Sequence, residues 1–141
     1  MTRADFYILG SGASRARFAC TLAHKAWQQG HRPFLLAPDR EEAAGLDDLL
    51  WTFQDISFLP HTLADDAGAG DVPVTIGWPG TGVAGNVLIN LTGDVPDDAA
   101  DFERVAEIVG ADEAQRNQAR RLYKHYREQG FEMHNHDMAG R

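Results

Sequence analysis

The hydrophobic residues fall into two alternating patterns along the chain, and this alternation predicts an α/β protein. Short apolar runs that end at glycine or proline predict buried strands, whereas apolar positions three and four residues apart predict amphipathic helices. The predicted strands or extended segments are Asp5–Gly10, Pro33–Ala37, Ile56–Pro60, Val74–Trp78 and Asn86–Leu91. Phe102–Val109 fits either period, and its β-branched residues favour a strand.

Three helices are predicted between these strands: Ser14–Gln29, a second from Asp39 to Leu50, and a third from Asp112 to Gln129. Asp39 is followed three residues later by Glu42, the spacing of a capping box. The alternation predicts a single three-layer domain over residues 1–131, with a mostly parallel or mixed sheet flanked by helices. Residues 132–141 are expected to be a flexible tail.

Two glycine-rich segments resemble a dinucleotide-binding motif. "GTGVAG" (Gly80–Gly85) matches G-x-G-x-x-G in full, but an apolar strand follows it, where the motif requires a helix N-terminus. We therefore interpret it as a loop between two strands. Gly10 and Gly12 do lie between a strand and a helix, yet Arg15 occupies the third glycine position. The prediction is a Rossmann-like fold without a functional nucleotide site or cofactor, and the alternative is a nucleotide-dependent enzyme that uses Gly10–Gly12.

The remaining composition gives little indication of catalysis. Of the 141 residues, 43% are hydrophobic and 24% charged, as in ordinary globular proteins, and no apolar run approaches the ~20 residues of a membrane span. The N-terminus lacks the apolar core of a signal peptide, so we expect a cytoplasmic protein without a membrane partner. Cys20, the single cysteine, is expected in the core. His134, His136 and Asp137 lie in the expected tail without further ligands, so no metal site is predicted. No Ser/His/Asp or paired-carboxylate spacing stands out, so no catalytic residue is predicted.

Basic residues are concentrated in the third predicted helix, although the net charge is −8. Five of the 13 Lys and Arg residues lie there: Arg116, Arg120, Arg121, Lys124 and Arg127. At 100° per residue, Leu122 and Tyr126 share the face that packs on the sheet, and a basic stripe that includes Tyr123 adjoins it. This pattern is typical of a solvated helix face, an acidic-peptide receptor or a nucleic-acid contact. The acidic remainder favours the peptide over a duplex.

A second feature is a cluster of aromatic residues in "LLWTFQDISFLPH" (Leu49–His61). Trp51, Phe53 and Phe58 lie within eight residues of one another, around the end of the second predicted helix. They fit either core packing or a protein-binding patch with aromatic anchors.

In these segments the sequence resembles the chi subunit family of bacterial DNA polymerase III, over about Asp5 to Phe131. The segments that carry the resemblance are "FYIL", "AWQQGHRPFLL", "LDDLLW", "SFLPHTLA", "PVTIGWP", "VLINL" and "ARRLYKHYREQGF". The resemblance implies a non-enzymatic adaptor of the clamp loader, which reaches DNA only indirectly. Its partners would be the acidic C-terminal tail of single-stranded-DNA-binding protein and the small psi subunit.

The resemblance also implies two sets of binding residues. The tail site would use Arg120, Tyr123, Lys124 and Val109, with Arg116 and Arg127 as outlying charges. The psi-binding patch would use Trp51 and Phe58, with Pro60 and His61 nearby. A direct nucleic-acid-binding role for the basic helix is the remaining alternative.

Overall fold

A computed structural model describes residues 2–52, 59–65 and 72–138. The strands are β1 (Arg3–Ile8), β2 (Pro33–Leu36), β3 (His61–Leu63), β4 (Val74–Gly77), β5 (Val87–Asn90), β6 (Arg104–Val109) and β7 (Glu132–Asp137). The helices are α1 (Arg15–Gln28), α2 (Arg40–Thr52) and α3 (Glu113–Glu128), with a short 3-10 helix at Ala99–Asp101. The segment Phe102–Val109 thus contains a strand, as its β-branched residues favoured. The strand expected at Ile56–Pro60 lies mostly outside the described residues.

The seven described strands form one sheet in the order β3-β4-β2-β5-β6-β1-β7, and every strand pairing in it is parallel. β2, β4 and β5 are buried along their whole length, which explains their nearly continuous apolar sequences. The helices α1 and α2 pack on one face of the sheet, and α3 packs on the other. The structure confirms a Rossmann-like three-layer α/β fold.

Each of the three α-helices begins at a polar side chain that accepts a hydrogen bond from a backbone N–H of the first turn. Ser14 accepts from Arg17 at 3.2 Å and Asp112 from Gln115 at 2.7 Å. Asp39 accepts from Glu42 at 2.8 Å, as the capping-box spacing predicted. Such caps contribute about 1 kcal/mol each and fix where the helix starts on the sheet.

Residues 132–137 differ from the expected tail, because they form the edge strand β7 beside β1. The imidazole of His136 lies 2.8 Å from the buried carboxylate of Asp5 and stacks on Tyr7, with ring centroids 4.6 Å apart. Arg3 donates to the same carboxylate. Hydrogen bonds from Arg3 and His136 lower the pKa of Asp5 against the opposing effect of burial. The strand therefore depends on polar partners far away in sequence, which an apolar pattern does not reveal.

The glycine-rich segments take the positions that their flanking sequences indicated. Gly80–Gly85 lies in the connection between β4 and β5, and no helix follows it. At the N-terminal segment, the Arg15 side chain donates from Nε to the carbonyl oxygen of Ile108 at 3.0 Å. Arg15 thus ties the start of α1 to the end of β6, at the position where the dinucleotide motif has its third glycine.

Cys20 is fully buried in the core on the α1 side of the sheet, as expected. Burial raises the pKa of its thiol to about 12, so the thiol stays protonated and unreactive at neutral pH.

Among the residues that the structure describes, no helix is long and apolar enough to cross a bilayer.

Candidate functional site

The basic stripe lies on α3, and the packing of this helix determines which basic side chains reach the sheet. Leu122 and Tyr126 are buried against β1 and β6, as the helical spacing predicted. Tyr123 is half-buried, and its ring lies 5.3 Å from that of Phe6 on β1. The arginines of the stripe stay exposed to solvent. The stripe therefore runs along the line where helix and sheet meet.

A buried polar network fixes α3 on the sheet. The hydroxyl of Tyr126 donates to Glu107 Oε2 at 2.6 Å, and the amide of Asn90 donates to the same oxygen at 2.7 Å. Burial raises the pKa of Glu107 to about 7, while both hydrogen bonds oppose that shift by stabilising the carboxylate. Since these groups lie on α3, β5 and β6, the network joins the helix to two strands and fixes its position along them.

Beside this network, α3 and the sheet enclose an open recess of about 260 Å³. It is lined by Phe6, Ile8, Val109, Arg116, Ala119, Arg120, Tyr123 and Asn135. Its floor is apolar, since β1 and β6 contribute aromatic and branched side chains, and its rim carries two guanidinium groups. A recess of this kind can bury one apolar side chain while it holds an anionic group at its edge.

The structure brings four of the six predicted tail-site residues to this recess: Val109, Arg116, Arg120 and Tyr123. Lys124 and Arg127 lie outside the lining. Lys124 is exposed on the same helix, and the Arg127 guanidinium lies 6.0 Å from the centroid of the Tyr123 ring. The Arg120 side chain donates to Asn117 one turn earlier, which orients its planar head.

Four residues of the lining were not predicted from the sequence. Phe6 and Ile8 lie on the same face of β1, because side chains alternate along a strand. That this face belongs to the recess becomes evident only once the pairing of β1 with β6 is known. Ala119 lies on α3 beside Arg120 and was not among the predicted tail-site residues. Asn135 belongs to β7, where no strand was expected, and no feature of the sequence indicated that it reaches the recess.

The predicted psi-binding patch is described in part. Trp51, near the end of α2, is 57% exposed, although it is large and apolar. Its ring lies 4.5 Å from that of His61, which is itself buried. His61 Nδ1 lies 2.7 Å from the carbonyl oxygen of Leu59, and Pro60 is exposed. Phe58 lies outside the described residues, so its predicted place in the patch stays a prediction.

The fold and the two surfaces together define the class of protein: a Rossmann-like α/β protein whose candidate binding sites are a cationic recess and an exposed tryptophan. Within the described residues, no group of three side chains is arranged to hold a metal ion. The family model described as "DNA polymerase III chi subunit, HolC" matches residues 1–134. The chain belongs to this family. As a chi subunit it is a non-catalytic accessory subunit of DNA polymerase III and takes part in DNA replication.

Curated relatives support the assignment over nearly the full length. The DNA polymerase III subunit chi of Pseudomonas aeruginosa is 40% identical over 138 residues, covering 96% of each chain. That of Escherichia coli is 33% identical and covers 94% of this chain and 96% of its own. That of Haemophilus influenzae is 31% identical, with 92% and 93% covered.

Proposed function

We propose that this chi subunit is an adaptor that links the clamp loader, through psi, to the acidic C-terminal tail of single-stranded-DNA-binding protein. One observation carries the proposal: the recess combines an apolar floor at Val109 with arginines at its rim. An acidic peptide that ends in an apolar side chain matches both features. In this role the protein acts in the cytoplasm, needs no cofactor and reaches DNA only through its partners.

The energetics favour a peptide that uses the floor as well as the rim. Ion pairs with exposed Lys124 or Arg116 contribute only ~0.2–1 kcal/mol each. Burying a terminal phenylalanine beside Tyr123 adds roughly 1.5–3 kcal/mol. A terminal carboxylate held by Arg120 adds a charge-assisted hydrogen bond of about 1.5–3 kcal/mol. Together these contributions total about 3–8 kcal/mol before the costs of ordering the peptide, so the affinity should be no tighter than on the order of micromolar.

The exposed Trp51 supports the second contact of the adaptor. A tryptophan that is more than half exposed on a folded domain is a common anchor in protein interfaces. Its contact with buried His61 holds the indole in place before a partner arrives. We assign this patch, together with Pro60 and Phe58, to psi.

The tail site is tested with a fluorescent tail peptide and fluorescence anisotropy. Arg120→Ala should weaken binding by at least about tenfold, which corresponds to 1.4 kcal/mol. Arg121→Ala is the matched control, since Arg121 lies on the same exposed helix but outside the recess. It removes the same charge and should bind nearly as the wild type does. A peptide without its last phenylalanine should bind weakly to all three proteins.

Two results would refute this site: equal losses for Arg120→Ala and Arg121→Ala, or full affinity for the peptide without phenylalanine. The first would show that only overall charge matters, and the second that the apolar floor is unused. Titration with a single-stranded oligonucleotide tests the alternative of direct nucleic-acid binding. Saturable binding that Arg120→Ala abolishes would favour that alternative over the adaptor.

A further inference from the structure

A second groove lies apart from both proposed sites, where the β4–β5 connection faces the segment after β5. It has a volume of about 310 Å³ and shares no lining residue with the α3 recess. The ends of β2, β4 and β5 lead into it, so it opens at the carboxyl edge of the sheet. Crevices at this edge are the common location of ligands in open α/β sheets. The groove includes the glycine-rich segment that the proposed function leaves unexplained.

The interior of the groove is apolar, and part of it is exposed. Val83 is 42% exposed, and only it and Trp51 are large apolar side chains exposed to this degree in the described chain. Half-buried Trp78 and Val95 and exposed Pro79 also line the groove. An exposed apolar side chain inside a concave surface is a candidate contact for a partner.

The walls of the groove are held in shape by local hydrogen bonds. Thr81 Oγ1 donates to the carbonyl oxygen of Trp78 at 2.9 Å and accepts from the Trp78 N–H at 3.3 Å. On the other side, the carbonyl oxygen of Asp94 accepts from Asn90 Nδ2 at 2.8 Å. Gly80 has a φ of 102°, a conformation that side chains other than glycine rarely adopt. A preformed groove reduces the ordering cost of binding.

The rim of the groove is acidic. Asp94, Asp97 and Asp98 line it and are all exposed, whereas no lysine or arginine is among its lining residues. None of the three forms an ion pair within the described residues. The Arg40 guanidinium lies over the Trp78 ring at 5.6 Å, but it also pairs with Asp65 at 3.2 Å. The rim therefore presents unbalanced negative charge around an apolar interior.

We propose that this groove binds a cationic peptide segment that inserts an aliphatic side chain between Val83 and Val95. Charge decides between the classes of occupant, because nucleic acid and other anions would be repelled by Asp94, Asp97 and Asp98. A bound metal ion is not favoured, since no described group of three acidic or histidine side chains converges. A positively charged segment with an apolar residue at its centre matches both rim and interior. This proposal is independent of the tail and psi sites.

The test uses a fluorescein-labelled peptide Lys-Lys-Leu-Leu-Lys-Lys and two relatives, one with serine for leucine and one with glutamate for lysine. Val83→Ser should weaken binding of the leucine peptide by about five- to tenfold, and the two relatives should bind at least about tenfold more weakly to the wild type. Amide shifts in nuclear magnetic resonance spectra should concentrate on Thr81, Val83 and residues 94–98.

The charge contribution needs a control, because any cationic peptide is attracted to an acidic protein. Asp97→Asn with Asp98→Asn removes two charges from the rim, whereas Glu41→Gln with Asp48→Asn removes two exposed charges from α2. The rim pair should weaken binding at least about threefold more than the α2 pair. Equal losses for the two pairs, equal affinity for the serine peptide, or amide shifts outside the groove would each overturn the proposal.

Discussion

Glu107→Gln should remove a pH-dependent loss of stability that the wild-type protein carries. Glu107 is 3% exposed on β6, and burial raises the pKa of its carboxyl from 4.5 to about 7. The unfolded chain loses this proton near the ordinary value. Between these two pKa values the folded state therefore binds more protons than the unfolded state, and the free energy of unfolding falls as pH rises.

The shift from 4.5 to about 7 corresponds to roughly 3 kcal/mol, since each pKa unit is 1.36 kcal/mol. Below the unfolded-state pKa of 4.5, the Glu107 carboxyl is protonated in both the folded and the unfolded state, so the loss of stability disappears. Glutamine preserves the geometry, because its amide oxygen can accept from Tyr126 and Asn90 where Glu107 Oε2 does. At pH 8 the glutamine variant should thus be more stable than the wild type by up to about 3 kcal/mol, and near pH 5 the two should nearly agree.

Urea unfolding of both proteins at several values between about pH 5 and pH 8 measures this difference directly. All other ionisable groups are shared by the two proteins, so their contributions cancel in the comparison. Asp5 contributes nothing here, since its lowered pKa makes its stabilisation present above 3.8 and lost only as pH falls further. Glu128→Gln, at an exposed position on α3, should show no such divergence. A difference for Glu107→Gln that stays constant across the range would refute the reasoning.

Two further predictions concern the β4–β5 connection and the tryptophan patch. Gly85→Ala should cost at least about 1 kcal/mol more stability than Gly82→Ala, since both positions have positive φ but only a Cβ at Gly85 meets the backbone of Arg32; equal thermal unfolding midpoints would contradict this. Trp51→Ala should change the free energy of unfolding by less than about 1 kcal/mol, because the side chain is largely exposed, yet weaken psi binding by ~1–3 kcal/mol. A stability loss without a binding loss in urea unfolding and calorimetry would place Trp51 in the core.

Most of the fold could be predicted because its determinants are local. The caps at Ser14, Asp39 and Asp112 depend on residues three positions away, and the central strands depend on continuous apolar runs. β7 could not be predicted in this way. Its residues are polar, and its hydrogen bond from His136 to Asp5 spans 131 positions. An edge strand with one solvent-facing side needs few apolar residues, so its pattern resembles that of a tail.

The candidate recess was predictable to the extent that it belongs to α3. Helical periodicity places Arg116, Arg120 and Tyr123 on one stripe, and the structure places all three at the recess. The floor depends on which strands lie under that stripe. Sequence alone does not give the order in which β1, β6 and β7 meet, so Phe6 and Asn135 were missed. Only Val109 was expected there, through the family resemblance.

The uneven charge distribution explains how an acidic protein can bind an acidic peptide. Five of 13 basic residues lie on α3, and outside that helix 8 basic residues face 19 acidic ones. At physiological salt the screening length is about 8 Å, so carboxylates elsewhere on the surface hardly oppose a tail bound at the arginine rim. The groove beside Val83 has the opposite charge and shares no lining residue with the recess. Added salt should therefore weaken the binding of both proposed peptides. Arg120→Ala should affect only the acidic tail peptide, and Val83→Ser only the cationic peptide.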